Sequence, residues 1–214
     1  MSERAFLPAL RFDALTRLYD PIIAATTRER TFKRRLVELA APRAGERVLD
    51  VGCGTGTLAL ELARTGASVS GVDADEAMLA RAQRKAAAAH IALDLQTAMA
   101  QELPYAHDIF DIAVSSLFFH HLVRRDKFAV ASEVVRVLRP GGRLAVADWG
   151  QPRDPLMRVA ARGIRLLDGA ESTSDNLAGR LPAILEQAGF THVAEHDRLR
   201  TPFGVMTVLT ASAG

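Results

Sequence analysis

The chain has 214 residues, 49% of them hydrophobic and 24% charged, which is the usage of an ordinary globular domain and excludes intrinsic disorder. No apolar run approaches the roughly 18 residues that a spanning helix needs. A net charge of +2 with 6% aromatic residues lacks the basic, aromatic-interleaved patch of a nucleic-acid binder, so no nucleic acid is expected.

Residues 1–42 read as a helical cap broken at Asp20-Pro21, and their opening, MSERAFLPALRFD, lacks the long apolar core of a secretory signal. The densest basic cluster, Arg28, Arg30, Lys33, Arg34 and Arg35, is either a solvated helix face or a surface for an acidic partner, substrate or lipid. From Arg43 short apolar runs alternate with helical patterns. Arg47–Val51 is a short β-branched run after the turn signal Ala44-Gly45, which predicts a buried strand; Leu58–Arg64 predicts a helix. Ser68–Val72 predicts a second strand. A helix follows over Asp75–Ala89, with Asp75 as its N-cap. Further strands are expected at Ile91–Thr97, Ile109–Ser115 and Arg143–Ala147, with a helix over Lys127–Leu138 stopped by Arg139-Pro140-Gly141-Gly142. After Gly150 come a Pro- and Arg-bearing insertion at 151–175, a helix over Asn176–Ala188, and two strands at Phe190–Glu195 and Gly204–Ala211. Cys53 is the one cysteine, so no internal disulfide forms; a cytoplasmic location is the default.

This alternation, with about a dozen residues per crossover, predicts an α/β fold of parallel strands with helices on both faces. Such sheets bind ligands beyond the carboxyl ends of their strands. There the first strand runs into Asp50-Val-Gly-Cys-Gly-Thr-Gly56, whose alternate glycines let a backbone approach a ligand and turn into a helix. The spacing separates two kinds of nucleotide site. In the dinucleotide fingerprint G-x-G-x-x-G/A, counted from Gly52 and Gly54, the last small residue falls on Thr57, with Gly56 one place early. No lysine follows as in a triphosphate loop, so both ligands are disfavoured. Asp73 ends the second strand, where a carboxylate can accept both hydroxyls of a ribose, a contact worth roughly 1.5–3 kcal/mol. The competing role, a helix N-cap, suits Asp75 better.

Val48-Leu-Asp-Val-Gly-Cys-Gly-Thr-Gly56 resembles the first motif of class I S-adenosylmethionine-dependent methyltransferases, and Gly71-Val-Asp73-Ala-Asp75 their second. The turn Leu138-Arg-Pro-Gly-Gly-Arg-Leu-Ala-Val146 is similar to a later one, and Leu18-Tyr19-Asp20-Pro21 looks like an N-terminal element of the ubiquinone/menaquinone-type branch. The resemblance implies a Rossmann-like doubly wound sheet of seven strands, mostly parallel, with the last antiparallel and inserted between the fifth and sixth. It implies a single cofactor-binding domain over 43–214, with 151–175 as a substrate lid. S-adenosylmethionine is the implied co-substrate, with no metal expected.

The implied cofactor contacts come from Asp50, Gly52, Cys53, Gly54 and Gly56 in the glycine turn, from Asp73, Ala74 and Met78, and from Tyr19 closing over the site. Similar enzymes carry an acid at the place of Met99; here Met99 can instead pack on adenine through its sulfur, leaving the ring edge to the Ala100 amide or Gln101. Ser116 is implied beside the methionine portion. His120 and His121 either take a proton from the acceptor or serve packing, and no Cys or carboxylate accompanies them at metal-ligand spacing. Trp149 either walls the acceptor pocket or packs. Met157–Leu167, with Arg158, Arg162 and Arg165 at helical spacing, is a basic amphipathic lid for an anionic or lipidic acceptor, with peripheral membrane contact, or else a surface helix. The function implied is methyl transfer to a small-molecule acceptor such as a quinone precursor or lipid amine. The alternative is a module that binds S-adenosylmethionine or S-adenosylhomocysteine without turnover; a nicotinamide oxidoreductase fits the glycine spacing less well.

Overall fold

The architecture, a computed structural model describing residues 29–214, begins with α1 (Glu29–Ala40), β1 (Arg47–Val51), α2 (Thr57–Ala63), β2 (Ser68–Asp73) and α3 (Glu76–Ala88). It continues through β3 (Asp94–Thr97), β4 (Phe110–Ser116), a 3-10 turn (Phe119–His121), α4 (Arg124–Val137) and β5 (Leu138–Gly150). The chain then forms α5 (Pro155–Asp168), α6 (Ala170–Leu177), α7 (Leu181–Gln187), β6 (Phe190–Thr201) and β7 (Gly204–Ala213). The strands make one seven-stranded sheet in the order β3-β2-β1-β4-β5-β7-β6. The β3–β2, β2–β1, β1–β4 and β4–β5 pairs are parallel, and β7 runs antiparallel to both its neighbours. Strand order 3-2-1 then 4-5 reverses between β1 and β4, which opens a crevice at their carboxyl ends.

The period-2 alternation of the strands divides the core into two layers. Leu49, Val51, Ala113, Leu144, Val146 and Leu209 face α4 and α7, against Val130, Val134, Leu181 and Leu185. Val48, Ile112, Val114, Ala145, Ala147 and Val208 face the other way, against Phe32 and Leu36 of α1 and Leu58 and Leu62 of α2. Both sheet faces are covered, so the central strands read as continuous apolar runs. Asp75 caps α3 as expected, accepting from the amides of Ala77 at 2.9 Å and Met78 at 3.2 Å.

Several boundaries move, each for a local reason. β5 is longer than Arg143–Ala147 because the Pro140-Gly141-Gly142 turn is absorbed as an irregularity inside the strand: Leu138 pairs with Phe110 and Arg143 with Ile112. β6 extends to Thr201 because β7 pairs with it along its length. β3 shortens to Asp94–Thr97. The helix expected over Asn176–Ala188 is two helices, since Gly179 takes φ +71° between α6 and α7 and Pro182 sits in the first turn of α7. The 151–175 insertion is itself helical: Asp154 caps α5 by accepting from the Met157 amide at 3.0 Å, with Pro155 opening the helix.

Candidate functional site

The carboxyl ends of β1, β2 and β4 open into a cleft of about 360 Å³, within the usual size of a small-ligand site. The turn after β1 supplies Gly52, Cys53, Gly54 and Thr55; the end of β2 supplies Asp73, Ala74 and Asp75. Met78 reaches in from α3, and Ala98 through Gln101 line the edge beyond β3. The end of β4 and the following turn supply Ser116, Leu117, Phe118, His121 and Leu122, while Glu29 and Lys33 of α1 close the wall.

The glycine turn is tied to β2 by its own backbone. Gly52 and Cys53 donate to the Val72 carbonyl at 2.9 and 3.0 Å. Gly54, at φ +52°, has nothing within 4 Å of where a Cβ would stand, so its backbone is bare toward the cleft. Gly52 is small for a different reason: a Cβ there would lie 2.3 Å from the Phe118 ring. Asp73 links the two turns, accepting from Gly54 N at 2.8 Å and Asp75 N at 2.9 Å. Burial raises its carboxyl above the ordinary aspartate value, and those amides only partly offset it. The carboxylate still has acceptor capacity left for a ligand hydroxyl.

Asp50 and Gly56 stand behind this wall and not among its lining residues. Gly56 lets α2 begin against α3, since a Cβ would meet that of Ala82 at 2.8 Å. Asp50 is 1% exposed, and neither carboxylate oxygen makes a hydrogen bond of normal geometry, the Ala59 amide being a weak backbone contact. Burial pushes its pKa up to about 7 despite the nearby Lys33 charge. The Cys53 thiol is likewise pushed far up by burial, which makes it an inert wall residue.

The two histidines part company. His120 is 3% exposed and lies under the turn. Its Nδ1 is 2.7 Å from Asp148 Oδ1, and its Nε2 is 3.6 Å from Asp168 Oδ2 of α5. Asp148, at the end of β5, also accepts from the amides of Phe118 at 3.2 Å, His120 at 3.3 Å and Trp149 at 2.7 Å. Burial alone would raise this carboxyl, but His120 and the amide bonds hold it below the ordinary value. Asp148 thus fastens the turn that presents Phe118 and His121 to the cleft. His121 itself faces the cleft and is exposed to it; desolvation by the surrounding walls and then the neighbouring His120 push its imidazole down, so it is neutral at pH 7. Asp168 comes to the histidines from a helix far along the chain, with donor atoms of all three residues within 4.8 Å of one another, a proximity that spacing in the sequence did not express. Trp149 is 5% exposed and packs in the core, not in the cleft wall.

Gly52, Cys53, Gly54, Asp73, Ala74, Met78, Met99, Ala100, Gln101 and Ser116 thus line one cleft, and Tyr19 lies outside the described residues. Glu29, Lys33, Val123 and Asp126 also line the cleft, although sequence reasoning missed them. A signal existed for two of these: Glu29 and Lys33 fall on the stripe of α1 that otherwise carries Phe32, Leu36 and Ala40, where an apolar residue is the rule.

The fold and cleft define an α/β domain with a ligand site where its strand order reverses, and comparison with known proteins gives its kind. Residues 48–142 match the methyltransferase domain model. An uncharacterized methyltransferase of Synechocystis is 32% identical over 168 residues, 78% of this chain and 77% of that one. The ubiquinone/menaquinone biosynthesis C-methyltransferase of Geobacter sulfurreducens is 29% identical over 96% of this chain and 85% of its own length. An uncharacterized protein of Mycobacterium tuberculosis is 42% identical over 53% of this chain, a match that spans 41% of the relative's length. Among solved structures, a SAM-dependent methyltransferase from Methanosarcina mazei superposes with a TM-score of 0.66 at 23% identity, over 80% of this chain and 93% of that one, and shares the fold. The chain belongs to the class I S-adenosylmethionine-dependent methyltransferases.

The residues present fit that family's cofactor. Asp73 offers a ribose acceptor at one end, Met78, Met99 and Ala100 offer an apolar slot for a base, and bare backbone at Gly54 admits close approach. Among the described residues no helix is long and apolar enough to cross a membrane.

Proposed function

We propose that this chain transfers a methyl group from S-adenosylmethionine to a small-molecule acceptor with an apolar ring, of the quinone-precursor kind. The observation that carries the reading is the cleft at the β1/β4 reversal, where Asp73 and the glycine turn face an apolar wall of Leu117, Phe118, Leu122 and Val123. The cofactor supplies an activated methyl on a sulfonium and leaves as a thioether. The protein's part is therefore alignment. Asp73 takes the ribose hydroxyls, Met99 and the Ala100 amide take the base, and Ser116 orients the methionine portion. The Phe118 face, pinned through its amide by Asp148, suits a cation that loses its charge as the methyl leaves. Holding acceptor and methyl carbon in line supplies roughly 7–11 kcal/mol of the barrier reduction.

The neutral His121 offers an acceptor lone pair for a hydroxyl of the substrate, which supports an orienting role in preference to that of a strong base. Helix α5 of the 151–175 insertion backs the turn that carries His121, since Asp168 reaches His120 from behind it, while no residue of the insertion lines the cleft. The exposed face of α5 carries Arg158, Arg162 and Arg165 beside the exposed Leu156 and Leu166, which suits an anionic or lipidic acceptor arriving from a membrane surface. The test is incubation of the purified chain with S-adenosylmethionine and a metabolite extract, read by mass spectrometry. A ring-bearing metabolite that gains one methyl supports the reading. Binding of S-adenosylhomocysteine with no methylated product under any extract leaves a binding module and sinks the transferase.

A further inference from the structure

His120, His121 and Asp168 each bring a donor atom to within 4.8 Å of the others. The partner of His120 sets its tautomer. Asp148 accepts from three amides and lies 2.7 Å from His120 Nδ1, so Nδ1 carries the hydrogen and Nε2 of the neutral ring keeps a lone pair. That lone pair faces Asp168 Oδ2 across 3.6 Å. Two lone pairs repel, so a positive group belongs between them. A proton there draws the atoms to about 2.7–2.9 Å, the length of a charge-assisted hydrogen bond. Two ligands of a tetrahedral ion, each about 2.1 Å from it, stand about 3.4 Å apart. The observed separation therefore suits an ion better than a proton. Asp168 is also out of place on its helix. It closes α5, where the carboxyl end already carries partial negative charge and a cation is the favoured side chain. With Asp148 on the other side, two carboxylates flank one imidazole. Lys127 does not offset them directly, because its ammonium is held by the Leu122 and Ser172 carbonyls, each at 2.6 Å. Among the described residues His120 is the one ion contact of the Asp168 carboxylate.

We infer that His120 Nε2, a ring nitrogen of His121 and a carboxylate oxygen of Asp168 form a binding site for a divalent ion of the zinc class. Two imidazoles and one carboxylate, with a fourth position open, are a donor set that such ions take in catalytic sites. Asp148 behind His120 is the outer carboxylate that fixes a ligating imidazole in tautomer and direction. His121 is exposed to the cleft, which gives the ion a way in. The bound ion ties the end of α5 to the turn after β4 and offsets the two acids around His120. Its last consequence rests on the transferase reading. With the His121 lone pair engaged by the ion, the open coordination position takes the acceptor oxygen in its place.

The experiment strips the untagged chain with a chelator and titrates it with zinc by calorimetry, with cobalt as the spectroscopic probe. Zinc should bind in a single equivalent, and cobalt should give the strong visible absorption of a four-coordinate ion. Asp168→Ala should weaken zinc by at least about tenfold, the loss of a ligand exceeding that of an outer partner. Its affinity for S-adenosylhomocysteine should stay as in wild type, which shows that the chain is folded. Azide, a small probe for an open position, should shift the cobalt spectrum of wild type; a spectrum that azide leaves unchanged removes the acceptor role. A wild type that takes up no zinc, or an Asp168→Ala chain that binds it as tightly as wild type, overturns the site. If Asp168→Ala does not fold, His121→Ala decides, since it truncates an exposed side chain: undiminished zinc affinity there ends the proposal. The two readings fail separately. A chain that binds S-adenosylhomocysteine and methylates an acceptor without zinc uptake loses the site alone, and one that binds zinc with no methylated product loses the transferase reading alone.

Discussion

Asp73 does two jobs with one carboxylate. Its oxygens hold the Gly54 and Asp75 amides, and the carboxylate has acceptor capacity left for a sugar. Asp73→Ala should therefore weaken S-adenosylhomocysteine by at least about tenfold in calorimetry, the equivalent of one charged hydrogen bond. Unchanged affinity removes Asp73 from the site. Asp50 supplies a pH signature instead. Its carboxyl titrates near 7 in the fold, against about 3.9 in an unfolded chain. Between those values the unfolded chain has lost the proton and the folded one retains it, so this group's contribution to stability falls as pH rises from about 4 to 7 and is flat above. Asp50→Asn should abolish that slope, gaining on wild type by up to about 4 kcal/mol between pH 4 and pH 8. Parallel urea midpoints for the two proteins across that range would refute it.

At the scale of the element, the turn after β4 is held by the end of β5. Four donors converge on Asp148, and His120 is its one side-chain partner among the described residues. Removing one member of a buried pair strands the other, so His120→Ala should cost about 3–5 kcal/mol. Arg34→Ala, which breaks an exposed pair with Glu38, should change stability little, because solvent screens that pair. Urea unfolding of both variants measures the contrast, and similar small losses would mean that Asp148 is satisfied by amides alone. The core strands were legible in the sequence because burial on both faces writes an apolar run, as in Val48–Val51. The glycine turn and Asp73 were legible because spacing along the chain fixes their places. Strand order came only through family resemblance. The approach of Asp168 to His120, and of Lys33 to the cleft, was illegible because each depends on how a distant helix docks. The helix over 176–188 was misjudged because a single glycine, Gly179, ends one helix while Pro182 opens the next.

For the whole molecule, any ligand that binds the folded cleft and not the unfolded chain must stabilise it. At 100 times its dissociation constant, S-adenosylhomocysteine should add about 2.7 kcal/mol, which for a domain of this size raises Tm by roughly 5–10 °C. Nicotinamide dinucleotides should leave the melting curve where it is. A shift produced by the dinucleotide and not by S-adenosylhomocysteine would reverse the assignment of the cleft. The sheet has one further consequence, which follows from β7 lying between β5 and β6. During synthesis β6 leaves the ribosome before the strand that joins it to the sheet, and β5 waits with a raw edge for the same strand. Closure of that side is a single late event, and until it happens two strand edges stand open to other nascent chains, which makes this flank the place where a chaperone would earn its keep.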